Sequence, residues 1–227
     1  MYGACSSGRG LSAGMDLKQK LLTIFRKLDG HFGALHWWPG ETPLEIIVGA
    51  ILTQNTSWGN VEKAICNIKT ADSLSTGRLF RIEKKKLAEL IRPCGYYNLK
   101  AARLKEFIGF LHLEYGGDLD RMFRERTPAL REKLLRVKGI GPETADSILL
   151  YAGGRPEFVV DAYTRRILER HRVIPEGLDY EEIKGIFMEH LPKSAGMFNQ
   201  YHALLVNAGK HYCRKIPRCE GCPLHGL

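Results

Sequence analysis

Leu134-Leu135-Arg136-Val137-Lys138-Gly139-Ile140-Gly141-Pro142-Glu143-Thr144-Ala145 is the stretch on which the reading of this chain turns. An amphipathic helix stops at Lys138, a tight Gly-Ile-Gly turn follows, and Pro142 opens a second helix. Gly139 and Gly141 permit positive φ and put no side chain between the backbone and a ligand, while Ile140 can anchor the turn in a core. Backbone N–H groups at the turn and at the next helix start would then face outward and form an anion site. An ordinary αα-hairpin with glycine at its C-cap reads equally well from the spacing alone.

On both sides of this hairpin the chain reads as helices. Asp16 caps a segment with Leu17, Leu21, Ile24, Phe25 and Leu28 on one face, ended by Gly30. Thr42-Pro43-Leu44-Glu45 combines an N-cap, a proline at the first helical position and a capping-box glutamate, ahead of an apolar run that suits a buried central helix. Ser57 opens another helix, and further ones are expected at 83–92, 99–115, 128–136, 142–151, 162–171, 180–191 and 198–211. Asp179 and Glu182 form a second capping box. Only Phe158–Val160 looks extended, so the fold class is all-α.

Composition narrows the function classes. The 227 residues carry 34 Lys plus Arg against 25 Asp plus Glu, a formal charge of +9, which suits a polyanionic partner. The longest nearly uncharged apolar stretch, Ile46 to Leu52, is far short of the roughly 20 residues that span a bilayer. Residues 1–15 read as a flexible tail without the apolar middle of a signal peptide. A soluble, cytoplasmic monomer without a membrane partner is expected.

The segment after the hairpin separates its two readings. Gly153-Gly154-Arg155-Pro156 leads into Phe158-Val159-Val160-Asp161-Ala162-Tyr163-Thr164-Arg165-Arg166. This order of hairpin, Gly/Pro loop and Val-Asp before an arginine-bearing helix resembles the endonuclease III-like superfamily of DNA glycosylases, the helix-hairpin-helix–GPD group. The resemblance runs from about Pro39 to the C-terminus. It takes in Leu52-Thr53-Gln54-Asn55-Thr56, Gly95-Tyr96-Tyr97-Asn98-Leu99-Lys100 and the terminal cysteines. It implies two helical lobes flanking a DNA-binding cleft. One joins 16–38 to 156–227, and the other is a six-helix module over 39–155 with the hairpin at 134–151. The implied partner is double-stranded DNA with a damaged base.

The resemblance also assigns chemistry. Asp161 would face the sugar of a flipped nucleotide, stabilise oxocarbenium charge and orient the attacking water. Its bland role, a helix N-cap, is compatible with that. Glu143 stands where strand-cutting members carry a lysine that forms a Schiff base, and a carboxylate cannot make an imine. Asp161 and Glu143 are therefore the candidate catalytic carboxylates of a glycosylase without lyase activity. Trp37, Trp38 and Pro39 are placed at the base pocket, where an indole face suits the positive charge of an alkylated purine. Tryptophans so placed also serve as plain core. With Leu52–Thr56 they resemble the bacterial 3-methyladenine glycosylase branch. Gln54 and Tyr96 match positions that enter the base stack. Lys138, Gly139, Gly141, Thr144 and Arg165 are the expected backbone contacts, with Arg166 and Lys100 beside them.

Of six cysteines, Cys213, Cys219 and Cys222 crowd the end of the chain, while Cys5, Cys66 and Cys94 are scattered and carry no assigned role. The terminal three resemble the family's [4Fe–4S] loop, whose fourth cysteine would fall one position past Leu227. His225 is the nearest alternative ligand. Three cysteines with one histidine also suit zinc, and absence of a metal is a further alternative. Two other functional readings stay open: a glycosylase for mismatched, deaminated or oxidised bases, and a non-catalytic helix-hairpin-helix DNA-binding module.

Overall fold

A computed structural model of the chain describes residues 15–35, 38 and 40–227. Among them there are twelve α-helices and no strand. Two compact units divide the chain, one holding 15–35 with Pro156–Leu227 and the other Trp38–Arg155.

The second unit is built on α2 (Pro43–Leu52), an almost wholly apolar helix with Ile47, Val48, Ile51 and Leu52 buried. Around it lie α3 (Trp58–Thr70), α4 (Thr76–Arg81), α5 (Lys84–Leu90), α6 (Tyr97–Tyr115), α7 (Leu119–Phe123), α8 (Thr127–Arg136) and α9 (Pro142–Ser147). That is eight helices where the sequence suggested six, because α4 and α7 are too short for a helical period to register. A 3-10 turn, Arg92–Cys94, separates α5 from α6, and a π-helical turn, Ile148–Ala152, extends α9.

Two lysines of α6 point inward. Lys105 Nζ donates to the carbonyls of Leu79 (3.1 Å), Phe80 (2.5 Å) and Ile82 (2.9 Å), where α4 ends. Lys100 Nζ, 1% exposed, donates to those of Leu52 (2.9 Å) and Cys94 (2.7 Å). Carbonyls at a helix end have no helical partner, and these ammonium groups supply one.

The first unit packs α1 (Leu17–Phe32), α10 (Ala162–Arg170), α11 (Tyr180–His190) and α12 (Ala195–His211) around an aromatic cluster. Phe158 stacks on Phe187 at 3.6 Å and meets Phe198 and Tyr201 edge-on, while Tyr201 Oη donates to Leu21 O at 2.7 Å. Asp179 closes the capping box that its spacing suggests, and Asp16, read only as a cap, closes one as well with Gln19. Thr42 does not: its hydroxyl caps Glu45 N, but Glu45 turns its carboxylate to Glu41 N and Lys69. Nor does Gly30 end the first helix, which continues to Phe32 and stops at Gly33 with φ 70°.

Candidate functional site

The hairpin is held from within. Ile140 is 4% exposed, and Arg131 of α8 grips the buried Asp146 of α9 through Nε (2.7 Å) and Nη2 (3.1 Å). Gly139 has φ 91°, where a side chain is strained, and a Cβ there would collide with Cγ of Arg103. Gly141 departs from the expectation of positive φ. Its φ is −95°, and a Cβ would meet open space. Lys138, Gly141 and Glu143 line this turn, and all three are exposed.

Thr144, expected to contact a DNA backbone, is instead buried, and its Oγ1 accepts from Gln54 Nε2 at 2.9 Å. Gln54 Nε2 also approaches Gly139 O at 3.3 Å, and Arg103 Nη1 donates to Gln54 Oε1. Both ends of this amide are thus occupied, so Gln54 is not the free side chain that the motif suggests. Tyr96 differs: it is 73% exposed, with a left-handed backbone at φ 46° directly after Gly95 at φ 64°.

Trp38 stacks on Tyr151 of the π-helical turn (4.6 Å between centroids, 15° between planes) and meets Trp58 edge-on at 5.4 Å. Its backbone is also left-handed, φ 68°, and its buried Nε1 finds no acceptor among the described residues. Trp37 and Pro39 lie outside the described residues. Sequence reasoning missed Tyr151 and Trp58, which read there as ordinary helix residues.

In the other unit, the irregular run Pro156–Val160 leads to Asp161. Phe158, Val159 and Val160 are buried, Lys184 of α11 pairs with Glu157, and Val160 N donates to Tyr180 Oη at 3.4 Å. Asp161 is the N-cap of α10, its Oδ1 accepting from Thr164 N at 2.7 Å. Its Oδ2 lies 3.7 Å from Nε2 of the buried His202 on α12. Burial pushes the Asp161 carboxyl up, but His202 and the Thr164 N–H outweigh it and hold the group below the usual carboxylate range. His202 escaped the sequence reading because one histidine on an apolar helix face carries no signal of its own.

Three expected phosphate contacts are engaged inside the protein. Arg165 Nη1 donates to Leu178 O, Arg166 Nε to Cys213 O at 2.7 Å, and Lys100 to the carbonyls named above.

Cys213, Cys219, Cys222 and His225 line one cavity with Arg170, His171, Tyr212, Pro217 and Arg218. Burial, and then the neighbouring Cys213, raise the Cys222 thiol. Arg170 Nη1 approaches Cys213 Sγ at 3.3 Å, and Cys219 is disulfide-bonded. This donor set suits an iron–sulfur or zinc site in kind. Among the described residues, however, no three such side chains converge at metal-binding distance.

A protein of Methanocaldococcus jannaschii provisionally named a DNA repair glycosylase is 48% identical over 207 residues, covering 91% of this chain and 94% of its own. The crystal structure of H. pylori 3-methyladenine DNA glycosylase bound to 1,N6-ethenoadenine superposes with a TM-score of 0.74 at 32% identity, covering 86% of this chain and 98% of that one. A trapped endonuclease III–DNA covalent intermediate shares the fold, with a TM-score of 0.79 at 22% identity over 92% of this chain and 94% of that one. The family described as HhH-GPD superfamily base excision DNA repair protein matches residues 48–193, the span from the central helix through the hairpin to Asp161 and α11, and the chain belongs to that family.

Proposed function

We propose that this protein is a DNA glycosylase that removes N-alkylated purines such as 3-methyladenine by hydrolysis and leaves the strand intact. The observation that carries the reading is Asp161, a carboxylate held ionised at the start of α10 by His202 and the Thr164 amide. A water attacks the anomeric carbon as the bond to the base breaks. The electron pair of that bond leaves with the cationic base, which departs neutral, and Asp161 takes the proton of the water. Alkylation thus removes most of the need for an acid at the leaving group.

Glu143, at the second position of α9, supports hydrolysis over imine chemistry, since it offers no amine. In this reading Lys138 and the turn at Gly139–Gly141 hold phosphate, and Tyr96 enters the stack. Gln54 serves the hairpin and would have to exchange its internal hydrogen bonds before entering. Trp38, braced by Tyr151, stands at the edge of the base pocket, and its relation to alkylpurines rests on the H. pylori enzyme's name.

A [4Fe–4S] cluster would be held by Cys213, Cys219 and Cys222, with His225 as the nearest fourth side chain, and would brace the basic loop that contains Arg214, Lys215 and Arg218. Cys219 must then be a reduced thiolate. Such a cluster is structural and takes no part in the hydrolysis.

The test is base release from duplexes with single lesions, in parallel with borohydride trapping on abasic DNA. Free 3-methyladenine without a covalent adduct is expected, with Asp161→Asn slower by about 10² to 10⁴. A stable adduct, or unchanged release by that variant, sinks the mechanism. Protein purified anaerobically is assayed for iron and visible absorbance, and colourless, iron-free folded protein sinks the cluster.

A further inference from the structure

Lys100 has no part in the chemistry above, and its burial needs a reason. Taking an ammonium group out of water is costly even after relaxation, and a methionine would fill the same space. What the ammonium adds is its pair of bonds, to Leu52 O at 2.9 Å and Cys94 O at 2.7 Å.

These carbonyls start two segments of different purpose. Two residues beyond Leu52, the amide of Gln54 is fastened to the hairpin at Gly139 O and Thr144 Oγ1. Two residues beyond Cys94, the exposed ring of Tyr96 stands on a left-handed backbone. A non-glycine residue in that region is strained and persists only where its surroundings fix it. One buried cation therefore lies between the phosphate-side hairpin and the turn that presents the aromatic ring.

We propose that Lys100 is a positioning residue that sets the register between the hairpin and Tyr96, so that the ring meets the base stack at a fixed distance from the gripped phosphate. The inference rests on the reading of Tyr96 and the hairpin given under Proposed function. It makes Lys100 a brace where the sequence suggested a phosphate contact.

The experiment uses the full chain and a duplex with 2-aminopurine beside a tetrahydrofuran abasic analogue, whose fluorescence rises when the neighbouring stack is opened. Wild-type protein at saturation is expected to raise the signal, and Tyr96→Ala to abolish most of the rise. Lys100→Met should lose most of it too, while Kd changes by less than about threefold, because phosphate contacts are kept. Lys100→Gln, which keeps amide donors on a shorter arm, should fall between the two and carries the test if the methionine variant does not fold. A rise equal to wild type in either variant overturns the proposal. So does a fall in signal and affinity by the same factor, which marks general damage, or the lack of any rise with wild type. Release of 3-methyladenine, measured separately, decides the functional reading. Loss of the fluorescence rise in the Lys100 variants without base release by wild type would leave the brace standing and remove the enzyme.

Discussion

The two oxygens of Asp161 face different partners, Oδ1 the Thr164 amide and Oδ2 the His202 imidazole, and these separate two duties that the sequence could only superimpose. Asparagine caps a helix about as well as aspartate, whereas alanine at an N-cap costs about 1 kcal/mol. Asp161→Asn is therefore the variant that keeps the fold and removes the base. The pH dependence has a definite sign. A carboxyl held below its unfolded value contributes stability at all pH above that unfolded value and loses it as pH falls through the folded one. The acid limb of the hydrolysis rate should accordingly lie below the ordinary carboxylate range. Replacing His202 by Gln takes away the main group opposing desolvation, so the acid limb should shift upward. A pH–rate profile under single-turnover conditions reads this directly, and an unmoved limb would show that His202 does not hold the carboxylate.

At the scale of the element, the two hairpin glycines are expected to respond differently to the same substitution. Gly139→Ala forces a side chain into φ 91° and against Arg103, which must move and release Gln54. A destabilisation of about 1–2 kcal/mol in urea unfolding should result, together with weaker DNA binding. Gly141→Ala meets neither strain nor a neighbour, so stability should stay within about 0.5 kcal/mol while affinity falls, because the methyl group stands where a phosphate would approach. Unchanged affinity for Gly141→Ala would remove the hairpin from the DNA interface. The same element shows what was legible in the sequence. Pro142, Ile140 and the 3.6-residue spacing of α8 are local signals, and they located the hairpin and the longer helices. The Gln54–Thr144 bond, the Lys100 brace and the His202–Asp161 pair join residues 90, 48 and 41 positions apart. No local pattern records such pairs, and Thr144 and Lys100 were read as surface groups for that reason.

Over the whole molecule, the formal charge of +9 does not translate into nine groups available to phosphate. Lys105 ends on three carbonyls, Lys133 on Glu125 at 2.8 Å and Lys69 on Glu45 at 2.9 Å, while Arg131 grips Asp146. Lys138 instead stands on the hairpin turn itself, at the residue before Gly139. A lysine that neutralises one phosphate releases about one counterion, which adds roughly 0.9 to the slope of log K against log salt. Lys138→Ala should reduce the measured slope by about that amount, evenly across DNA sequences. Lys105→Met should leave the slope unchanged and lower stability by about 1–3 kcal/mol, because three carbonyls at the end of α4 lose their charged donor. Fluorescence-anisotropy titrations over a salt series separate the two. The same slope in both variants, or a loss on removing Lys105 alone, would mean that the positive charge reaches DNA through groups other than those at the hairpin.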